Sequence, residues 1–202
     1  MKRHWYHYLW LYSLFFFAMG YFHIMFAWLG LISFILPLVF AVGFGTKGFC
    51  NRYCDRGQLL RMLGSQLGWS RGHDMPEWMK HKWFRYGFML FFLAMFADII
   101  YMTWQVSQGS SAMQESITLF WSIALPWTGA YDGGTALWAA EFAFRLYSLM
   151  LTSALIGIAS MLYYRPRSWC VYCPMGTLTQ LICRSKSQGS CSQMPDKCSD
   201  NI

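Results

Sequence analysis

Seven cysteines stand in the chain, and four of them form two close pairs: Cys50 with Cys54, and Cys170 with Cys173. Thiolates are soft donors that select iron–sulfur clusters, zinc or Cu(I). Around the pairs the sequence repeats itself. Phe49 precedes Cys50 and Trp169 precedes Cys170; Gly57 and Gly176 follow the second cysteine of each pair by three residues, and Leu59 and Leu178 follow it by five. Two matched pairs supply the four thiols that iron–sulfur clusters commonly take, whereas a disulfide would need one pair. Cys50 and Cys54 are four apart, so both thiols can face one side of a helix or tight turn. Pro174 suits the first turn of a new helix, and Gly176 permits close backbone approach. Lys47, Arg52, Arg56, Arg165 and Arg167 flank the motifs. They are expected to offset an anionic thiolate centre and to lower the thiol pKa values.

The elements that position these thiols are apolar. Of the 202 residues 56% are hydrophobic, 20% aromatic and only 12% charged. The apolar residues form blocks long enough to cross a bilayer, at ~20 residues per helix. The expected fold is an all-α integral membrane protein: a four-helix transmembrane bundle of two duplicated helical hairpins, each ending in a cysteine motif. Helix one is expected at about 5–22 and helix two at about 25–44, with the turn between Gly20 and His23 and a kink at Pro37. Helix three is expected at about 84–105 and helix four at about 137–163. One bundle then fills 1–183, with repeats at about 5–63 and 84–182, and a polar tail occupies 184–202. The stretch 117–127 contains Pro126 and is too short to cross, so it is expected to be interfacial or re-entrant.

Charge gives the orientation. The net charge is +7, but the basic residues lie between and after the apolar blocks, which is not a nucleic-acid footprint. Lys2, Arg3, the loop 46–83 and the tail 165–186 are rich in Lys and Arg, and 106–136 has neither. Positive-inside topology places the basic segments, both termini and both cysteine motifs at the cytoplasmic face of a bacterial inner membrane. Met1 to His4 and the apolar run after them are expected to form an uncleaved first helix. Two hairpins of the same orientation imply a pseudo-twofold axis along the membrane normal, which brings the motifs face to face.

Phe49-Cys50 through Cys54, and Trp169-Cys170 through Cys173-Pro174, resemble the membrane module of the polyferredoxin-type 4Fe-4S binding membrane proteins. That family includes the quinol-oxidising membrane subunit of periplasmic nitrate reductase systems and the membrane regulator of nitrous-oxide reduction. The likeness covers about 40–180, most of the chain. It implies a 4Fe-4S cluster on Cys50, Cys54, Cys170 and Cys173, and electron transfer across or along the membrane. Three features depart from the family pattern. Asp55 stands where Pro would follow Cys54, the second motif has two intervening residues rather than three, and no soluble ferredoxin run is present. The next redox centre is therefore expected on a separate redox subunit or soluble electron carrier.

Other residues could also do chemistry. Asp98 lies ~21 Å along helix three and Arg145 ~12 Å along helix four from the opposite face. Charges inside a membrane are costly and usually paired, so an Asp98–Arg145 contact is expected, shared with Glu141 one turn away. That trio would be a proton- or quinone-handling site or an interhelical pin, and a quinone is admitted as a second cofactor. Haem is disfavoured, because His7 and His23 sit near opposite ends of helix one and the third and fourth helices hold no His. His73 and His81 lie in the basic loop, where solvation is the plain reading. Cys183 reads as a core residue, and Cys191 and Cys198 as free thiols or a second ligand set. The Trp and Tyr residues near the span ends read as interfacial belts, and the methionines as packing.

The leading expectation is a membrane iron–sulfur electron carrier in contact with the lipid bilayer. Two alternatives stay open. One is a thiol–quinone oxidoreductase resembling the four-helix disulfide-forming and vitamin K epoxide reductase types, which work by thiolate attack. The other is an assembly subunit stapled by a structural metal such as zinc.

Overall fold

A computed structural model describes residues 8–44, 49–109, 118–119, 123–124 and 136–188. Apart from one pair of two-residue strands, its regular elements are helical. Helix α1 spans Leu9–Phe22 and stops at His23, whose extended backbone breaks the run. A 3₁₀ turn over Ile24–Ala27 leads into α2, Trp28–Phe44, which continues through Pro37. After a π turn at Phe49–Tyr53 comes α3, Asp55–Arg61, extended by a second π turn over Met62–Gln66. The short α4, Glu77–Lys80, precedes α5, Lys82–Ser107. Strands β1, Thr118–Leu119, and β2, Ile123–Ala124, pair antiparallel. The remaining helices are α6, Leu137–Tyr163, α7, Ser168–Tyr172, and α8, Pro174–Gln188.

Among the described residues, three helical segments are long and apolar enough to cross a membrane: Ile24–Phe44, Lys82–Ser107 and Leu137–Tyr163. Their positions match the expected helices two, three and four. Helix α1 has 14 residues, about 21 Å of rise against a hydrocarbon core of about 30 Å. The expected first helix began near residue 5, and residues 1–7 lie outside the described residues. In the stretch 117–127 the described residues form the small β1–β2 ribbon.

α6 is the central helix. Glu141, Ala143, Phe144, Leu146, Tyr147, Leu149 and Met150 are all buried along it. Trp28, the first residue of α2, packs on Phe142 with ring centres 5.0 Å apart and on Trp138 at 6.5 Å, so α2 and α6 start side by side. α5 runs the other way. Its Phe88 meets Trp169 beyond the end of α6, and its Phe92, Met95 and Ile99 pack further along against Leu149. Two glycines let α1 close on this core. A Cβ on Gly20 would collide with the Tyr147 ring, and one on Gly30 would sit 2.9 Å from Phe16. The Tyr147 hydroxyl donates to the Phe17 carbonyl at 2.8 Å.

α3 belongs to the bundle rather than to a basic loop. Gly57, Gln58, Leu59 and Leu60 are buried, and α3 packs against α1 and α6. Residue i of α3 and its extension lies beside residue i + 97 of α6. Arg56 Nη1 donates to Ser153 Oγ at 2.7 Å, Leu60 meets Gly157, and Gly64 meets Met161. The two segments are therefore parallel. α8 packs in the corresponding way against α5 and α2.

Candidate metal centre

Both cysteine pairs sit where a helix begins. Cys54 caps α3 and its carbonyl accepts from Gln58 N at 3.0 Å; Cys173 precedes α8 and its carbonyl accepts from Thr177 N at 2.9 Å. In each case the N–H of the glycine three residues on pulls the thiol pKa downward: Gly57 acts on Cys54, and Gly176, with Met175, on Cys173. The repeated Cys-x-x-Gly spacing thus builds the same local cap twice. The indole of Trp169 also donates to Cys173. A Cβ on Gly176 would lie 3.4 Å from the Cys170 carbonyl oxygen, an ordinary contact distance that places the two backbone segments of the second motif side by side.

The two motifs converge. The point where a Cβ would stand on Gly57 is 3.7 Å from Cys54 Sγ and 3.7 Å from Cys170 Sγ. Those sulfurs, from opposite halves of the sequence, flank one glycine that leaves the space between them open. Cys50 Sγ lies 3.7 Å from Thr179 Oγ1 on α8, so the first motif also reaches the helix that follows the second. Charge on Cys54 is felt from Cys170 and Cys173, and charge on Cys170 from Cys173 and Cys50. The four thiols form one electrostatic group.

Burial pushes the Cys54 thiol well up; the charges of Asp55, Cys170 and Cys173 push it further. Burial likewise raises Cys170 to about 12, with Cys173 adding to it and Arg167 opposing. Cys173 is raised by burial against the pull of its backbone donors and Arg56. The expectation that neighbouring cations lower these thiols therefore needs correction. Arg167 and Arg56 act in that direction, but desolvation of a buried anion outweighs them. Cys170 retains accessible surface although protein packed round it raises its thiol, as for a group facing a crevice. Cys54, Cys170 and Cys173 stay protonated unless a cation replaces the protons, and a soft donor set round an open cradle fits a thiophilic metal group. Among the described residues, no three His, Cys, Asp or Glu side chains come together tightly enough to ligate a single ion.

The depth of the site differs from expectation. The motifs were expected at the membrane face, beyond the ends of helices two and four. Arg56, two residues after Cys54, lies beside Ser153, ten residues before the end of α6. That is about 15 Å inside the bundle along the helix axis. After α2 the chain turns back, because the run Gly57 to Leu60 is apolar enough to bury against α1 and α6. Asp55 accepts a hydrogen bond from Ser33 on α2, and burial raises its pKa against the pull of Arg56. Ser33 and Ser153 each stand 17 residues before the first cysteine of their motif. That matched spacing was the sequence signal for this polar layer, which motif reading missed.

The intramembrane trio is rearranged. Arg145 Nε pairs with Glu141 Oε1 on its own helix, and Glu141 is fully buried. Asp98 is half-buried on α5 and makes no ion pair among the described residues. Glu141 wins because residues four apart on a helix are already neighbours, whereas Asp98 would need the facing helix in register.

His23 caps the turn after α1, accepting from Met25 N at 3.4 Å, and His81 caps α5 in the same way with Trp83 N. His7 lies outside the described residues, as do Cys191 and Cys198. Cys183 is 1% exposed in α8, a core position.

No family model, curated protein or solved structure matches this chain. Fold and composition define a helical membrane protein with three segments able to span a bilayer.

Proposed function

We propose that the chain is a membrane-bound iron–sulfur electron-transfer protein of the polyferredoxin type. It passes electrons between a quinone pool or cytoplasmic donor and a partner redox subunit. The observation that carries this reading is Gly57, with Cys54 Sγ and Cys170 Sγ each 3.7 Å from the place its Cβ would take. Cys50, Cys54, Cys170 and Cys173 would hold the cluster, most simply 4Fe-4S. A single zinc at Zn–S distances of about 2.3 Å needs the thiols drawn closer than a polynuclear cluster does, and among the described residues no three such side chains gather round one ion.

When bound, the cluster supplies one-electron chemistry. The chain's own residues do the rest. Backbone N–H groups of Gly57, Met175 and Gly176 and the indole of Trp169 favour the thiolate forms of Cys54 and Cys173; hydrogen bonds from such donors would tune the cluster potential. The packing also supports a duplicated origin. Each motif helix rests on the first helix of its own repeat and the second helix of the other: α3 on α1 and α6, α8 on α5 and α2. A four-crossing bundle with α1 as the fourth span, its basic segments cytoplasmic in a bacterial inner membrane, belongs to the same reading.

Replacing Cys50, Cys54, Cys170 or Cys173 singly by Ser is expected to remove the visible absorbance and the bound iron, while Cys183→Ser keeps both. Four variants that retain iron and an unchanged spectrum would rule the assignment out.

A further inference from the structure

Five cations flank the cysteine motifs, and one of them goes inward. Arg165 is 68% exposed and pairs with the equally open Asp74, and Arg167 is exposed. Water screens charges of that kind. Lys47 and the side chain of Arg52 lie outside the described residues. Arg56 is half-buried and aims its guanidinium into the bundle, donating to Ser153 Oγ at 2.7 Å and touching Met150 Sδ. The neighbouring residue, Gly57, forms the open cradle between Cys54 and Cys170. Arg56, Ser153, Gly157 and Trp169 line one small internal cavity, and Trp169 adjoins Cys170.

We propose that Arg56, fixed by Ser153 inside the bundle, is the counter-charge of the four-thiolate centre and raises its reduction potential. This rests on the reading of the quartet as an iron–sulfur site. The physical basis is that adding an electron makes an anionic centre more negative. A fixed positive charge in a poorly screened interior favours that reduced state over the oxidised one. Net charge is one of the quantities that set cluster potentials. A guanidinium presents its donors in a fixed planar fork.

The test is an EPR-monitored titration with dithionite on the purified, reconstituted full chain, with iron content and thermal unfolding measured alongside. Arg56→Gln is expected to keep iron and move the midpoint potential downward. Arg56→Lys is expected to recover most of the shift, and Ser153→Ala to give a smaller one of the same sign. A purely structural tie between α3 and α6 would lower the melting temperature and leave the potential where it was, which overturns the proposal. Should Arg56→Gln lose its iron, Ser153→Ala decides, and an unmoved potential there also overturns it. Wild-type protein that takes up no iron sinks the iron–sulfur reading itself, and the role of Arg56 with it. Iron-loaded wild type with unshifted variants sinks only the role of Arg56.

Discussion

Gly57 shows how one missing side chain can make a site. Its would-be Cβ lies 3.6 Å from Cys54 Cβ and 3.7 Å from the sulfurs of Cys54 and Cys170, so a branched side chain there fills the cradle. Overpacking of this kind costs about 1–3 kcal/mol, here charged against the loaded state. Gly57→Val is therefore expected to lose most of its iron while its far-ultraviolet circular dichroism stays that of the wild type. Full iron loading of that variant would show that the cradle is not where the metal group sits. At this scale the convergence of the two cysteine pairs and the place of both glycines were legible, because a repeat with cysteine at its fixed points is hard to produce otherwise. The ion-pair partner of Arg145 was not. Matching depths across two helices ignore the rotation of each helix about its axis, whereas Glu141 is held one turn away by geometry alone. The direction of Arg56 was equally hidden, since a basic residue beside a motif looks the same whether it faces water or Ser153.

The long helices α2, α5 and α6 were legible from apolar block length, and α5 and α6 begin and end within two residues of expectation. Helix α3 was not, because charged Asp55, Arg56 and Arg61 interrupt a short apolar run and make it look like loop. Its burial depends on partners far away in sequence. Gly64 is the closest of these contacts: a Cβ there would stand 2.8 Å from Pro166 Cβ and 3.1 Å from Met161. Pro166 is rigid and cannot yield. Gly64→Ala is expected to destabilise the protein by about 1–3 kcal/mol through overpacking, read as a lower melting temperature in detergent. Gly87→Ala on α5, where nothing lies within 4 Å, is the control. It should be neutral or slightly stabilising, since glycine costs a helix roughly 0.5–1 kcal/mol relative to alanine. Equal effects at the two positions would contradict the parallel packing of α3 on α6.

Over the whole molecule, the polar layer explains why two helices turn back into an apolar bundle. An Arg at the centre of a membrane helix costs about 2.5–3.5 kcal/mol on insertion scales. Here Arg56 meets the Ser153 hydroxyl, and Asp55 receives the Ser33 hydroxyl from the opposite side. An acidic and a basic residue, adjacent in sequence, thus bridge the two serines that hold matching places in the repeat. Thiols gathered beside them would be a costly arrangement if they served only packing, because desolvation and neighbouring charge hold the protons on Cys54, Cys170 and Cys173. A metal group that takes the place of those protons resolves the conflict. The most direct measurement is therefore iron and acid-labile sulfide per chain, with the EPR spectrum of the dithionite-reduced wild-type protein. Iron and sulfide present together in cluster proportion, with a signal lost in the Cys54→Ser and Cys170→Ser variants alike, is the predicted result. Reconstituted protein that binds zinc or nothing, and shows no such signal, would contradict it.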